Sequence, residues 1–169
     1  CENEKGIYLI DQHAAEERIN YERNSYLLAH PSGNTITPLI PIIIELPNNE
    51  FIKVKENIDI LDSLNIKVEE FGSNSYRILS HPTWFTKGRE KEIISKIFED
   101  ITNKGKEFSL AKFNDNLAKL VSCKMSIKAN TRITKEAQEE IINKLRKCNN
   151  PFNCPHGRPT IIHFTTYEI

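Results

Sequence analysis

The sequence has no excess of either charge: 23 Lys and Arg stand against 23 Asp and Glu in 169 residues. No bulk positive field advertises a polyanion partner, so any nucleic acid would be held by a local patch or by another part of a larger protein. No apolar run approaches the roughly 20 residues that cross a membrane. The longest, "PLIPIII" (38–44), is interrupted by prolines. A signal-peptide pattern is missing too, and the default expectation is a soluble intracellular protein. Among Cys1, Cys123, Cys148 and Cys154 there is no Cys-x-x-Cys pair, which excludes simple zinc-finger spacing. In a reducing cytosol such cysteines are more often metal ligands or core residues than disulfides. There is no internal repeat and no low-complexity tract. A chain that opens at Cys1 without an initiator Met, in what reads as mid-strand, is expected to be a domain excised from a longer protein.

What is present suits one domain or two small lobes sharing a core. At this length roughly two-thirds of the extended surface is buried on folding, enough for stability without disulfides. "GIYLI" (6–10) reads as a short buried strand. Asp11 is a good N-cap for a helix from about Gln12 to Leu28, and "HPSGN" (30–34) breaks the chain. "TITPLIPIIIEL" (35–46) has strand content, but Pro38 and Pro41 confine it to an edge or a split pair. Phe51, Val54, Ile58 and Leu61 predict a helix over about 48–64. "IKVEEFG" and "SYRILSH" predict a hairpin around Gly72-Ser73-Asn74. Ile93, Ile94, Ile97 and Ile101 predict an amphipathic helix over about 89–102, and Gly105 a linker. Further helices are expected over 115–129 and, capped by Thr134, to about Lys147. A turn-rich loop over 149–159 leads into a final strand, "TIIHFTTYEI".

The chemistry-bearing residues fall in three short stretches. On the first helix His13 and Glu17 lie one turn apart on one face, where a divalent metal could be held. Glu16 lies to one side of that face, and Glu22 half a turn away from His13. Taken alone, a blander account is stronger: Asp11 caps, the glutamates are solvated and His13 is incidental. In "CPHGRP" (154–159), Cys154 and His156 project to one side if the chain is extended, Gly157 permits a sharp turn and Arg158 suits a phosphate or carboxylate. The alternative is a tight turn with a buried cysteine. "SCK" (122–124) puts Cys123 in an apolar helix, where an inert core thiol is the simpler reading. Together they carry more. Thiolates and imidazoles suit zinc, while adjacent carboxylates suit manganese or magnesium. A mixed cluster fed from three distant segments could hold two metals, activating water and clamping a phosphodiester.

These stretches resemble a known family. Asp11-Gln12-His13-Ala14 with Glu17 and Glu22, then Ser122-Cys123-Lys124, then Cys154-Pro155-His156-Gly157-Arg158-Pro159, are similar to three ordered motifs of the endonuclease C-terminal domain of MutL mismatch-repair proteins. The resemblance covers essentially the whole chain. It implies an α+β fold: a dimerisation lobe built from both chain ends (1–46 and 107–169) carries the metal site, and a regulatory lobe (47–106) is inserted between them.

The resemblance further implies a latent, manganese-stimulated nicking endonuclease for duplex DNA, with zinc at the same site and magnesium as a substitute. Its ligands would be His13, Glu17, Cys123, Cys154 and His156. The family pattern selects Glu17 over Glu16, which helical geometry leaves open. Asp11 and Glu17 would be catalytic, Gln12 and Glu22 supporting, and Arg158 structural or phosphate-facing. A homodimer is implied, along with weak duplex binding by the domain alone, a MutS-type mismatch sensor engaged through the full-length protein, and a bacterial cytoplasm or nucleoid as its location. The alternative is a zinc-stabilised dimerisation module without cleavage activity. No ATP-binding motif is present, so ATP hydrolysis is not expected. Two departures stand out. The family's later Phe-x-Arg motif does not follow, since the sequence stops at Tyr167-Glu168-Ile169. The peptide with which family members bind the replication sliding clamp, Gln-led in the family, corresponds to "ITPLIP" (36–41), with Ile36 in the Gln position and Leu39-x-Pro41 retained.

Overall fold

The computed structural model describes residues 2–31, 33–103, 109–128 and 131–168. In chain order its elements are β1 (Glu2–Asn3), β2 (Gly6–Ile10), α1 (Gln12–Ala29), β3 (Thr35–Ile36), β4 (Ile42–Glu45), α2 (Asn48–Lys55), α3 (Ile58–Ser63), β5 (Lys67–Glu70), β6 (Ser75–Pro82), α4 (Glu90–Thr102), α5 (Leu110–Met125), α6 (Lys135–Leu145) and β7 (Ile161–Thr165). Helices with antiparallel sheets make an α+β fold, as expected. No helix among the described residues is long and apolar enough to cross a membrane. The chain divides into two compact units, Cys1–Ser25 with Ala118–Ile169, and Tyr26–Leu117.

The first unit carries the sheet β1-β2-β7, in which Ile7 faces Phe164, Leu9 faces Ile162 and Ile10 faces Ile161. Side chains alternate across a strand, so the sheet has two apolar faces. Ile10 and Ile161 pack on the core of Ala15, Ile141 and Leu145. Leu9, Ile162 and Phe164, of the opposite set, are exposed. The turn into β2 requires glycine. Gly6 has φ 136°, and a Cβ there would lie 2.0 Å from the Phe164 carbonyl oxygen. Asp11 caps α1, its carboxylate accepting the Ala14 N–H at 3.0 Å. Thr134 caps α6 through the Ala137 N–H at 3.3 Å. Small buried residues, Ala14 and Ala15 on α1 and Ala118, Val121 and Ser122 on α5, leave space for a buried polar contact, Asn24 Nδ2 to Ser122 Oγ at 3.1 Å.

In the second unit β6 pairs with β4, β5 and β3. Tyr76 on β6 stacks on Phe51 and meets Phe98 edge-on, beneath the buried Ile93, Ile94, Ile97 and Ile101 of α4.

Four expectations are corrected. The helix expected over 48–64 is two helices, because Asn57 Nδ2 bonds the Lys53 carbonyl at 2.7 Å and competes with the helical ladder. The spacing survives the break because Val54 and Leu61 both remain buried. α5 starts at Leu110 and ends at Met125 rather than running over 115–129, and α6 stops at Leu145 rather than Lys147. The lobe boundaries also differ. β3 and β4, expected within 1–46, pair with β6 of the inserted lobe, so the compact units divide at 25/26 and 117/118. Ile42 to Glu45 are apolar enough for either lobe, and only backbone pairing decides between them. Gly105, the expected linker residue, lies outside the described residues.

Candidate metal centre

A surface helix normally turns an apolar stripe inward. α1 instead buries Glu17 (1% exposed), Arg18 and Asn24 beside its two alanines. A buried carboxylate is costly unless charge and hydrogen bonds compensate it, and Glu17 is compensated from every side. His13 Nε2 lies 3.3 Å from Oε1, while His156 Nδ1 and Arg158 Nη2 lie 3.4 Å and 3.1 Å from Oε2. The Cys123 thiol lies close enough to feel the same carboxylate. Burial pushes the Glu17 carboxyl up, yet His13, His156 and Arg158 together outweigh it and hold it below the usual range. Although the residue is exposed overall, partial desolvation of the sulfur and the Glu17 charge push the Cys123 thiol up.

His13 is oriented by the backbone. Its Nδ1 lies 2.7 Å from the Ile127 carbonyl. A carbonyl only accepts, so Nδ1 carries a proton and Nε2 is the ring nitrogen turned toward Glu17. The Ile127 N–H is in turn held by Glu16 Oε2 at 2.6 Å. Gln12 Nε2 grips the Thr131 carbonyl at 2.7 Å. Three residues of the first turns of α1 thus hold the backbone of Ile127 and Thr131, beyond α5.

"CPHGRP" folds as a narrow hairpin tip, the tight turn with a buried cysteine of the alternative account. Gly157 N–H returns to the Cys154 carbonyl at 3.0 Å, Cys154 N–H to the Arg158 carbonyl at 2.8 Å, and Gly157 takes φ 88°. The tip still brings Cys154 and His156 together. Glu17, Cys154 and His156 offer ligand atoms all within 4.8 Å of one another. Arg158 spans the site, donating to Glu17 and to the Cys154 sulfur. The tip is anchored through backbone groups: Glu22 accepts the Asn149 and Asn150 N–H groups at 2.8 and 3.1 Å, and Arg18 Nε donates to the Asn153 carbonyl.

The structure therefore gathers His13, Glu17, Cys123, Cys154, His156 and Arg158. Cys123 is exposed and beside Glu17, not the inert core thiol of the simpler reading. Asp11 is exposed at the helix start and is not part of the three-residue cluster. Leu39 (fully exposed), Ile40 and Pro41 belong to the other unit. Sequence reasoning passed over Glu16 as a backbone clasp and Arg18 as an anchor. The only available signal was how few apolar residues α1 offers a core.

Thiol, imidazole and carboxylate form a donor set that fits zinc. Metal–ligand bonds of about 2.0–2.3 Å in a tetrahedron separate donor atoms by roughly 3.5 Å, so a cluster within 4.8 Å needs only a small contraction.

Over residues 1–133 the chain matches the family described as the MutL C terminal dimerisation domain. Along its whole length it is 42% identical to DNA mismatch repair protein MutL of Shouchella clausii, covering 26% of that protein. It is 40% identical to the protein of the same name from Listeria welshimeri, covering 28%, and 42% identical to that of Bacillus cytotoxicus, covering 26%. The chain spans about a quarter of the length of these curated relatives.

Proposed function

Because this chain belongs to the MutL C-terminal dimerisation domain family, we propose that it is the metal-dependent endonuclease and homodimerisation module of a mismatch-repair protein, nicking duplex DNA. The observation that carries this reading is Glu17, a buried carboxylate ringed by His13, Cys123, His156 and Arg158 from three distant segments. His13, Glu17, Cys123, Cys154 and His156 would hold zinc or manganese, with magnesium as a substitute. Such an ion, when bound, would lower the pKa of its water and polarise a phosphodiester.

The chain's own residues do the rest. His13 presents Nε2 because Nδ1 is occupied by the Ile127 carbonyl. Arg158 keeps a positive charge against Glu17 and Cys154, suited to a phosphate oxygen. Asp11, at the exposed start of the same helix, is the carboxylate assigned to orient attacking water.

Homodimerisation is supported by the apolar sheet face of Leu9, Ile162 and Phe164, all three of them exposed. Clamp binding through Leu39-x-Pro41 is supported by the full exposure of Leu39. The mismatch sensor would be met through the rest of the protein, in the bacterial cytoplasm or at the nucleoid. A second reading, a zinc-stabilised dimerisation module without cleavage, is favoured by one observation: Asp11 is engaged as a helix cap.

The two separate on Asp11, which a structural zinc site does not need. The test is nicking of supercoiled plasmid with manganese, comparing the protein with Asp11→Asn at matched zinc content. Nicking by the parent alone supports the endonuclease. Equal nicking by both removes Asp11 from the mechanism. Nicking by neither favours the dimerisation module.

A further inference from the structure

The chain is charge-balanced overall, but not locally. Between Asp115 and Glu136 there is no acidic residue, while Lys119, Lys124, Lys128, Arg132 and Lys135 fall in that interval. Elsewhere some exposed cations, Lys55, Arg77, Arg89, Lys96 and Lys144, each meet a carboxylate, while among the described residues others, such as Lys67, Lys87 and Arg146, do not. Lys128, Arg132 and Lys135 are exposed, and among the described residues none has a carboxylate within ion-pair distance. Of the acids nearby, Glu16 is held by the Ile127 N–H and Glu17 by the buried cluster, while Glu136 and Glu139 stand exposed on α6.

Position gives this cationic strip its meaning. Lys128 follows Ile127, whose carbonyl orients His13, and Arg132 follows Thr131, whose carbonyl is held by Gln12. The hydrogen bonds around the candidate metal ligand therefore also fix the backbone of Ile127 and Thr131, the neighbours of Lys128 and Arg132. We propose that Lys128, Arg132 and Lys135 seat the phosphate backbone of duplex DNA, running it past the metal centre. This rests on the reading of the centre as DNA-directed. The strip gives strand position without sequence preference, since it offers charge and no base-reading groups.

Three neutralised phosphates predict a slope of log affinity against log salt of about −2.7, so affinity falls roughly 40-fold between about 50 and 200 mM salt. Binding by the isolated domain is accordingly weak at physiological salt and measurable below it.

The experiment is fluorescence anisotropy of a labelled duplex with zinc-loaded protein, without manganese, from about 20 to 200 mM salt. The parent is compared with Lys128→Ala/Arg132→Ala/Lys135→Ala, and with a control carrying Lys55→Ala/Arg89→Ala/Lys96→Ala. Zinc content and urea midpoint confirm that each variant is folded. The proposal expects the strip variant to lose most affinity and nearly all the slope, with the control unchanged. It is overturned if the strip variant matches the parent, if the control loses as much, or if the parent does not bind at the lowest salt. Manganese nicking of plasmid is then measured on the same proteins. A parent that binds through the strip yet never nicks sinks the endonuclease reading and leaves the strip standing. A strip variant that nicks with the parent's KM sinks the strip and leaves the endonuclease.

Discussion

Glu16 is not a candidate ligand, yet its loss should weaken metal binding. Its carboxylate accepts the Ile127 N–H at 2.6 Å, and the Ile127 carbonyl holds His13 Nδ1 at 2.7 Å. In Glu16→Ala the strip loses a charge-assisted hydrogen bond of about 1.5–3 kcal/mol. Once the strip is free to move, His13 loses the acceptor that fixes its tautomer. Outer partners of ligating histidines typically contribute about 10–100-fold in metal affinity, or roughly 1.4–2.7 kcal/mol, a range that overlaps the hydrogen-bond figure. The assay is zinc competition against a chromophoric chelator, with the nitrogen-15 shifts of His13 reporting the tautomer of the metal-free protein. Glu16→Gln keeps an acceptor oxygen for the same N–H and should lose less than about tenfold. Zinc binding by Glu16→Ala as tight as the parent's would refute the reasoning, as would a Gln variant as weak as the Ala variant.

Gly6→Ala forces a methyl group against the Phe164 carbonyl at a φ that L residues rarely adopt. It should cost about 3 kcal/mol or more, read as a lower urea midpoint. Ile162→Glu adds a charge to the exposed face of the β2–β7 sheet. Sedimentation should show its dimer dissociating at concentrations where the parent stays paired, while an unchanged mass would remove that face from the interface. Zinc uptake should release protons. The Cys123 thiol, pushed up by partial desolvation and by Glu17, is protonated in the metal-free protein near neutral pH and must ionise to bind. Apparent affinity therefore rises with pH by about tenfold per unit for each proton released, and pH-independent binding would exclude Cys123 as a ligand.

Much of the local structure was legible because it depends on near neighbours. Asp11 as a cap, Gly157 in a sharp turn and the hairpin at Gly72 follow from residue chemistry within a few positions. The prolines at 38 and 41 correctly split β3 from β4. The lobe that receives β4 was not legible, because Ile42 opposite Ile78 is a pairing between strands more than thirty residues apart with nothing local to announce it. Asn57 broke a helix whose apolar spacing ran straight through it. At the site, helical spacing left Glu16 and Glu17 equivalent. They diverge only because Glu16 meets the backbone of Ile127 while Glu17 meets the hairpin tip, a tertiary fact.

α1 serves as a single rail to which two remote parts of the chain are fastened. His13 reaches 114 residues along the sequence, Arg18 reaches 135 and the Glu17–His156 contact spans 139. Contacts of such separation form late, after most of the chain has been ordered, and they are absent from a disordered ensemble. The donor atoms thus converge only in molecules that have finished folding. An ion with micromolar affinity, supplied at a hundred times that concentration, would stabilise those molecules by about 2.7 kcal/mol without touching any folding step. Metal occupancy would then count completed molecules, and a cell short of the ion would lose stability and candidate chemistry together.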